Sequence, residues 1–245
     1  MNSSPVIEVK NMVKQFGSFV ANDHLTFDVF RGEIFGFLGA NGAGKTTAIK
    51  ILCGLSAPTS GEIKVAGFDV YTQTEEIKRS IGYMSQRFSL YDDLTVYENI
   101  EFYGGIYGIR KQALRERAKD LMEKLALVEM KDKLIKDIPP GWRQKLAFSV
   151  AVFHQPRIVF LDEPTGGVDP IIRRQFWNMI YETANSGITI FVTTHYMDEA
   201  EYCDRVAIMS EGKIEAIDTP AVLKQNFEAS TMDEVFLKIA RKNKL

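Results

Sequence analysis

The chain has 245 residues, 45% of them hydrophobic and 25% charged, with a formal net charge of −2. That length buries a sizeable core in one large domain, with or without an inserted subdomain, and leaves little room for two full-sized ones. The balanced charge gives no electrostatic footprint for nucleic acid, Met1-Asn2-Ser3-Ser4-Pro5 lacks the charged and apolar regions of a signal peptide, and no run approaches the roughly eighteen uncharged apolar residues of a membrane span. A cytosolic chain is expected, held at a membrane only through a partner. Cys53 and Cys203 stand far apart without metal-ligand spacing, so both read as small buried apolar residues in a reducing compartment.

Val6–Lys10 and Leu25–Phe30 alternate or run apolar with β-formers and read as an antiparallel group leading to an apolar central strand, Ile34–Leu38. Gly39-Ala40-Asn41-Gly42-Ala43-Gly44-Lys45-Thr46 follows at once and fits G-x-x-x-x-G-K-[ST], a phosphate-binding loop. Its glycines let backbone N–H groups converge on phosphate oxygens, Lys45 brings a point charge to the β/γ-phosphates, and the Thr46 hydroxyl can ligate Mg²⁺. Asn41, Gly42, Ala43, Gly44, Lys45, Thr46 and Thr47 are therefore the expected nucleotide-phosphate-binding residues here. The following helix runs Thr46–Cys53, with Ala48, Ile49, Leu52 and Cys53 sharing a face until Gly54 stops it. Ser56–Gly61 is a turn, Glu62–Val65 a strand leaving through Ala66-Gly67-Phe68-Asp69, and Ile81–Met84 a short strand.

From about Arg87 to His154 the pattern becomes helical. Thr95-Val96-Tyr97-Glu98 is a capping box that opens a helix. Leu114, Ala118, Leu121, Met122 and Leu125 recur at helical spacing, with Arg115, Glu116, Lys119, Asp120 and Lys124 on the other face, Asp120 and Lys124 forming an i,i+4 pair. Strand character returns at Arg157–Leu161, a helix follows Asp169-Pro170, and Ile188–Thr194 is another strand, so parallel βαβ units are expected. Val206–Met209 and Lys213–Ile217 read as a hairpin around Glu211-Gly212, and Thr219-Pro220 caps a helix near the C-terminus.

Asp162-Glu163 closes the apolar strand Ile158–Leu161, so two carboxylates lie at a C-terminal strand end, where open α/β sheets place their ligands. Asp162 is suited to hold Mg²⁺ through water, and Glu163 to polarise an attacking water.

Asp162-Glu163-Pro164-Thr165, then Gly167-Val168-Asp169-Pro170 and Thr193-Thr194-His195, resemble in residues and order the ATP-binding subunit of an ABC transporter, over nearly the whole chain. The resemblance implies an α/β fold: a P-loop NTPase core with a mixed, mainly parallel sheet, an N-terminal antiparallel β group and an inserted α-helical subdomain. It divides one domain, 1–245, into a core of 1–86 and 155–222, a helical part of 87–154 and a C-terminal helix of 223–245. It implies that Phe16, where the family more often has Tyr, stacks on adenine with Val20 beside the base. Gln86 would reach Mg²⁺ and the attacking water, His195 would contact the γ-phosphate, and Asp169 would lie in a loop spanning a dimer interface. Gln86–Tyr91 begins the helical insertion where the family docks its membrane partner, with Phe88 and Tyr91 as its aromatic groups or as local core.

The family's Leu-Ser-Gly-Gly-Gln signature, which closes on the γ-phosphate held by the other subunit, is replaced by Ile138-Pro139-Pro140-Gly141-Trp142 just before a helix beginning near Trp142. Pro139 removes the serine hydroxyl and one N–H and Pro140 removes another N–H, leaving Gly141 as donor, while prolines in a first turn leave the helix intact. Trp142 and Arg143 are the nearest substitutes. The Pro-x-Gly-Trp-x-Gln arrangement and Thr231–Leu237 resemble bacterial ABC-2 or multidrug-type exporter subunits. The resemblance implies an ATPase using ATP and Mg²⁺, a second ATP-binding subunit, with a homodimer expected and a heterodimer open, and a separate integral membrane permease that selects the substrate. It places the chain on the inner face of the cell membrane, with no nucleic acid as partner. The altered signature leaves a second reading open, a nucleotide-operated binding or regulatory module with little hydrolysis.

Overall fold

In the computed structural model, which describes residues 4–86 and 90–242, the chain opens with β1 (Ile7–Phe16) and β2 (Phe19–Val29), an antiparallel pair. β3 (Ile34–Gly39) is buried at every position, as a strand covered on both faces must be. α1 (Lys45–Leu52) follows, then β4 (Ser60–Val65), β5 (Phe68–Asp69), α2 (Thr74–Ser80) and β6 (Ile81–Met84). α3 (Val96–Ile106), α4 (Lys111–Lys124) and α5 (Pro140–Val152) form a helical layer. β7 (Ile158–Asp162), α6 (Pro170–Asn185), β8 (Thr189–Thr194), β9 (Arg205–Ser210), β10 (Lys213–Asp218), α7 (Pro220–Asn226) and α8 (Met232–Lys242) complete the order.

The larger sheet runs β10-β9-β3-β8-β7-β6, its members parallel except for β10 at the edge. The smaller, antiparallel sheet runs β2-β1-β4-β5. Between the two, Phe27 of β2 faces Phe35, Phe37 and Phe191 of the larger sheet at ring separations of 5.8, 5.5 and 6.2 Å. Each buried ring contributes about 1.5–3 kcal/mol through the apolar area it removes from water. The other face of the larger sheet packs on Phe148, Phe176, Trp177, Ile180, Val235 and Ile239 from α5, α6 and α8. The P-loop face is thus fixed from both sides.

The helical layer has its own core of Val96, Ile100, Leu114, Ala118, Leu146 and Val150. Its entry is the capping box: Glu98 N–H donates to the Thr95 hydroxyl at 3.1 Å, and Thr95 N–H donates to the Glu98 carboxylate at 2.8 Å. At its junction with β6, His154 stacks on Tyr107 with centroids 3.5 Å apart and bonds the Ile81 carbonyl at 3.0 Å. Burial pushes that imidazole down to about 4, so it is neutral near pH 7.

Four expectations change. α2 carries few apolar residues and gave no periodic signal. Lys124 reaches Glu182 of α6 at 3.0 Å instead of Asp120, because α4 ends against α6, and the i,i+4 pair on α4 is Lys119 with Glu123 at 3.8 Å. α5 starts at Pro140, two residues before Trp142. The segment expected as one C-terminal helix is two, with Glu228 at φ 49 in the turn between them.

Candidate active site

Parallel register builds the site. Asp162 stands opposite Thr193, and Leu38 opposite Thr194, so β3, β7 and β8 end in one row. Met84 pairs with Leu161, which carries Gln86 alongside Glu163, two residues further along each chain. Residues separated by more than a hundred positions therefore share one edge.

The loop after β3 bends on Gly42 at φ 83 and Gly44 at φ 102. A side chain at Gly44 would collide with the Ala21 carbonyl and stand 2.7 Å from Asn22 Nδ2, so only glycine serves there. Asn22, fully buried, donates Nδ2–H to the Gly44 carbonyl at 3.1 Å. The loop opens on a cleft of about 370 Å³ lined by Asn41, Gly42, Gly44, Lys45, Thr46 and Thr47 together with Phe19, Ala21, Gln86 and Glu163. Ala43 turns its side chain into the core instead. The N-terminus of α1 faces the cleft with unpaired N–H groups of the kind that bind phosphate.

Phe16 and Val20 are 54% and 38% exposed, and neither lines the cleft; Phe19, 63% exposed, does. Phe16 and Phe19 are direct cross-strand partners, so their rings share one face of the ribbon. The two residues between them, Gly17 and Ser18, are the sequence signal of the tight turn that sets Phe19 beside Phe16.

Glu163 is where the elements converge. Its Oε1 lies 3.2 Å from Lys45 Nζ, and its Oε2 accepts from Gln86 Nε2 at 3.1 Å and lies 3.2 Å from His195 Nδ1. Lys45 also donates to the Gly39 and Ala40 carbonyls at 2.7 and 3.1 Å. The Glu163 backbone sits at φ 49, a left-handed conformation that costs a non-glycine residue roughly 1–3 kcal/mol. Its N–H is held by the Thr193 carbonyl at 3.1 Å and hydroxyl at 3.0 Å. The Thr193 hydroxyl in turn donates to Asp162 at 2.7 Å, as Thr46 does at 3.2 Å. The Thr193 hydroxyl was visible in the sequence only as part of a motif, without its role as the link between the Asp162 carboxylate and the Glu163 backbone.

Thr46, Asp162 and Gln86 fit Mg²⁺. All three offer hard oxygens: the Thr46 hydroxyl and Asp162 carboxylate are already in contact, and Gln86 turns its amide nitrogen to Glu163, leaving its carbonyl oxygen for a cation.

The altered signature loop does not line this cleft. Pro139 is the N-cap of α5 without a side-chain cap bond, Pro140 is its first residue, and both are exposed. Gly141 lies against α6, where an added Cβ would meet Ile172 at 2.7 Å. Arg143 points to Asp92 at 3.9 Å, and Lys145 Nζ lies 5.0 Å from the centre of the Trp142 ring. Behind the loop, Gln144 donates to the Pro164 carbonyl. Asp169 caps α6 through the N–H groups of Ile171 and Ile172 at 2.9 and 3.0 Å. Tyr91 packs edge-on against Phe102 at 4.8 Å; Phe88 lies outside the described residues.

The sequence pattern of the family described as ABC transporter matches residues 22–166, spanning the phosphate loop and Asp162-Glu163. The chain belongs to the ABC transporter family. It is 46% identical over 96% of its length to a probable multidrug ABC transporter ATP-binding protein, YbhF, of Escherichia coli, of which it covers 41%, so it spans about two fifths of that relative. It is 33% identical to the linearmycin resistance ATP-binding protein LnrL of Bacillus subtilis, covering 93% of this chain and 73% of that one. Among solved structures, an ATP-binding subunit of an ABC transporter matches with a TM-score of 0.87 at 27% identity, covering 96% of this chain and 99% of the other. The cassette fold, an α/β P-loop NTPase core, is thereby established.

Burial raises the Asp162 carboxyl above its ordinary value, against bonds from Thr193 and Thr46 that lower it. A group that holds its proton more tightly when folded stabilises the fold at low pH and loses that contribution as pH rises through its folded value. In this cassette Asp162→Asn is therefore predicted to raise the cation-free Tm at pH 7. The gain should vanish below about pH 4, where both states of Asp162 are protonated, while magnesium-dependent nucleotide binding weakens; Tm against pH and a nucleotide titration check both.

Proposed function

We propose that this chain binds ATP with Mg²⁺, dimerises on it and hydrolyses it to drive a separate membrane permease. The observation that carries the reading is the convergence of Lys45, Gln86 and His195 on Glu163, at 3.2, 3.1 and 3.2 Å. Phosphates in the loop draw Lys45 from Glu163, and the freed carboxylate, still oriented by Gln86 and His195, takes the proton of the attacking water. With Nδ1–H given to Glu163, His195 in its imidazolium form donates Nε2–H to the γ-phosphate. Thr46, Asp162 and Gln86 would hold Mg²⁺, which would supply positive charge against the phosphate oxygens. Phe16, Val20 and Phe19 receive the base.

Gly141 and the N-terminus of α5 are read as acting on nucleotide held by a second subunit, with Asp169 at the interface between the two. A homodimer is the simpler assembly. The aromatic group of Tyr91, Phe102 and Tyr103, with Ile106 on the same helix as the last two and 61% exposed, supports a permease contact on the helical layer, since exposed apolar patches mark interaction sites. Among the described residues no helix is long and apolar enough to cross a membrane; a position on the inner membrane face, held there by the permease, is part of the proposal. Export of drug-like or other small molecules is supported by the names of the multidrug and linearmycin resistance relatives.

The second reading, a nucleotide-operated module with little hydrolysis, rests on the N-cap of α5, where Pro139 supplies no side-chain bond. Charge-assisted bonds of the missing kind are worth about 1.5–3 kcal/mol each.

Glu163→Gln is predicted to lower single-turnover hydrolysis by about 10²–10⁴-fold and to accumulate an ATP-bound dimer on size exclusion; hydrolysis at the parent rate would remove Glu163 from the role. Replacing Pro139 by Ser together with Pro140 by Gly is predicted to raise hydrolysis. An unchanged rate with and without the permease would mean that the lost donors do not limit turnover.

A further inference from the structure

We propose that Glu199 is a positioning residue for Glu163, acting through Thr165; this rests on the reading of Glu163 as the base. A residue at positive φ keeps that conformation only where its surroundings over-determine it, and Glu163 sits at φ 49. On its N-terminal side the restraint comes from Thr193, which receives the Glu163 N–H. On its C-terminal side it comes from Thr165, 1% exposed, whose hydroxyl donates to Glu199 Oε1 at 2.5 Å. Gln144 holds the intervening Pro164 carbonyl, so the base is gripped on both sides.

Glu199 lies in the 3₁₀ turn Met197–Tyr202, which follows His195 after one residue, Tyr196. It is fully buried, and its second carboxylate oxygen has no hydrogen-bond partner among the described residues. Arg173 of α6 brings Nε to 3.6 Å from Oε1, and its guanidinium covers the Tyr196 ring at 4.3 Å and reaches Asp198 at 3.5 Å. The Tyr196 ring in turn touches His195, with centroids 4.2 Å apart. The loop carrying the base and the loop carrying its histidine are therefore joined through one carboxylate.

Stability alone gives little reason to keep this group. A buried carboxylate with an unpaired oxygen is costly, and a well-packed apolar side chain in such a place is often neutral or better for the fold. The acid supplies what an apolar residue lacks: a fixed acceptor for Thr165, two residues beyond Glu163. Held there, Glu163 keeps one direction towards the phosphate loop, and small misplacements of a reacting group have large effects on rate.

The experiment uses the full chain and compares Thr165→Val, Thr165→Ser, Glu199→Gln and Glu163→Gln in single-turnover ATP hydrolysis, nucleotide affinity and Tm. Thr165→Val should lower the rate about 10–100-fold with nucleotide Kd changed less than about twofold. Thr165→Ser, which keeps the hydroxyl, should restore the rate to within about threefold, and Glu199→Gln, which keeps an acceptor, should fall between them. In the Glu163→Gln background Thr165→Val should add no further loss, because two residues acting as a unit are not additive. The inference is overturned if Thr165→Val hydrolyses at the parent rate, if serine fails to rescue, or if the valine loss recurs in full without Glu163. Parent-rate hydrolysis by Glu163→Gln would instead overturn the assignment of the base.

Discussion

One carboxylate, Glu163, carries the tension on which this site depends. It has to remain anionic and aimed at the phosphate loop while sitting 9% exposed beside a lysine that is 4% exposed. Taking either charge out of water is expensive, and close pairing is what compensates. Lys45 is therefore shared between its resting partners, Glu163 and the carbonyls of Gly39 and Ala40, and any phosphate that enters the loop. In the proposed mechanism the ammonium that attracts the nucleotide also restrains the base, which would couple binding to readiness for chemistry through competition for a single cation.

The rest of the fold serves to keep that competition in a narrow space. The aromatic layer of Phe27, Phe35, Phe37, Phe160 and Phe191 fixes the central strands against the smaller sheet. Parallel register then delivers Gly39, Asp162 and Thr194 to one edge. From there, hydrogen bonds set direction: Thr193 joins Asp162 to the Glu163 backbone, and Thr165 with Glu199 anchors the far side of the same turn. The helical layer enters through Gln144, one helical turn past Pro140 in α5, which holds the carbonyl of Pro164, the residue after Glu163.

Much of this was readable because it is local. The phosphate loop, the strand leading into Asp162-Glu163, the capping box at Thr95 and the helix after Asp169-Pro170 each depend on residues within a few positions, and the structure places each of them as the local chemistry dictates. What escaped depends on pairing across the fold. Phe19 enters the cleft only because a tight hairpin sets it beside Phe16. Lys124 chooses Glu182 over Asp120 because α4 ends against α6. Glu199 looks in sequence like any acid on a short polar turn, and only the fold buries it beneath Thr165. Pro139 and Pro140 are the reverse case: their missing donors follow from chemistry alone, while the consequence depends on the proposed dimer.

The most direct test of the coupling is the affinity for ATP without magnesium, where turnover does not intervene, measured by titration calorimetry on the parent chain and on Glu163→Gln. If Lys45 is held by Glu163 until phosphate takes it, removing the carboxylate charge should tighten binding by roughly 5- to 50-fold, and the difference should shrink as salt is raised. Equal affinities, or weaker binding by the variant, would contradict the account.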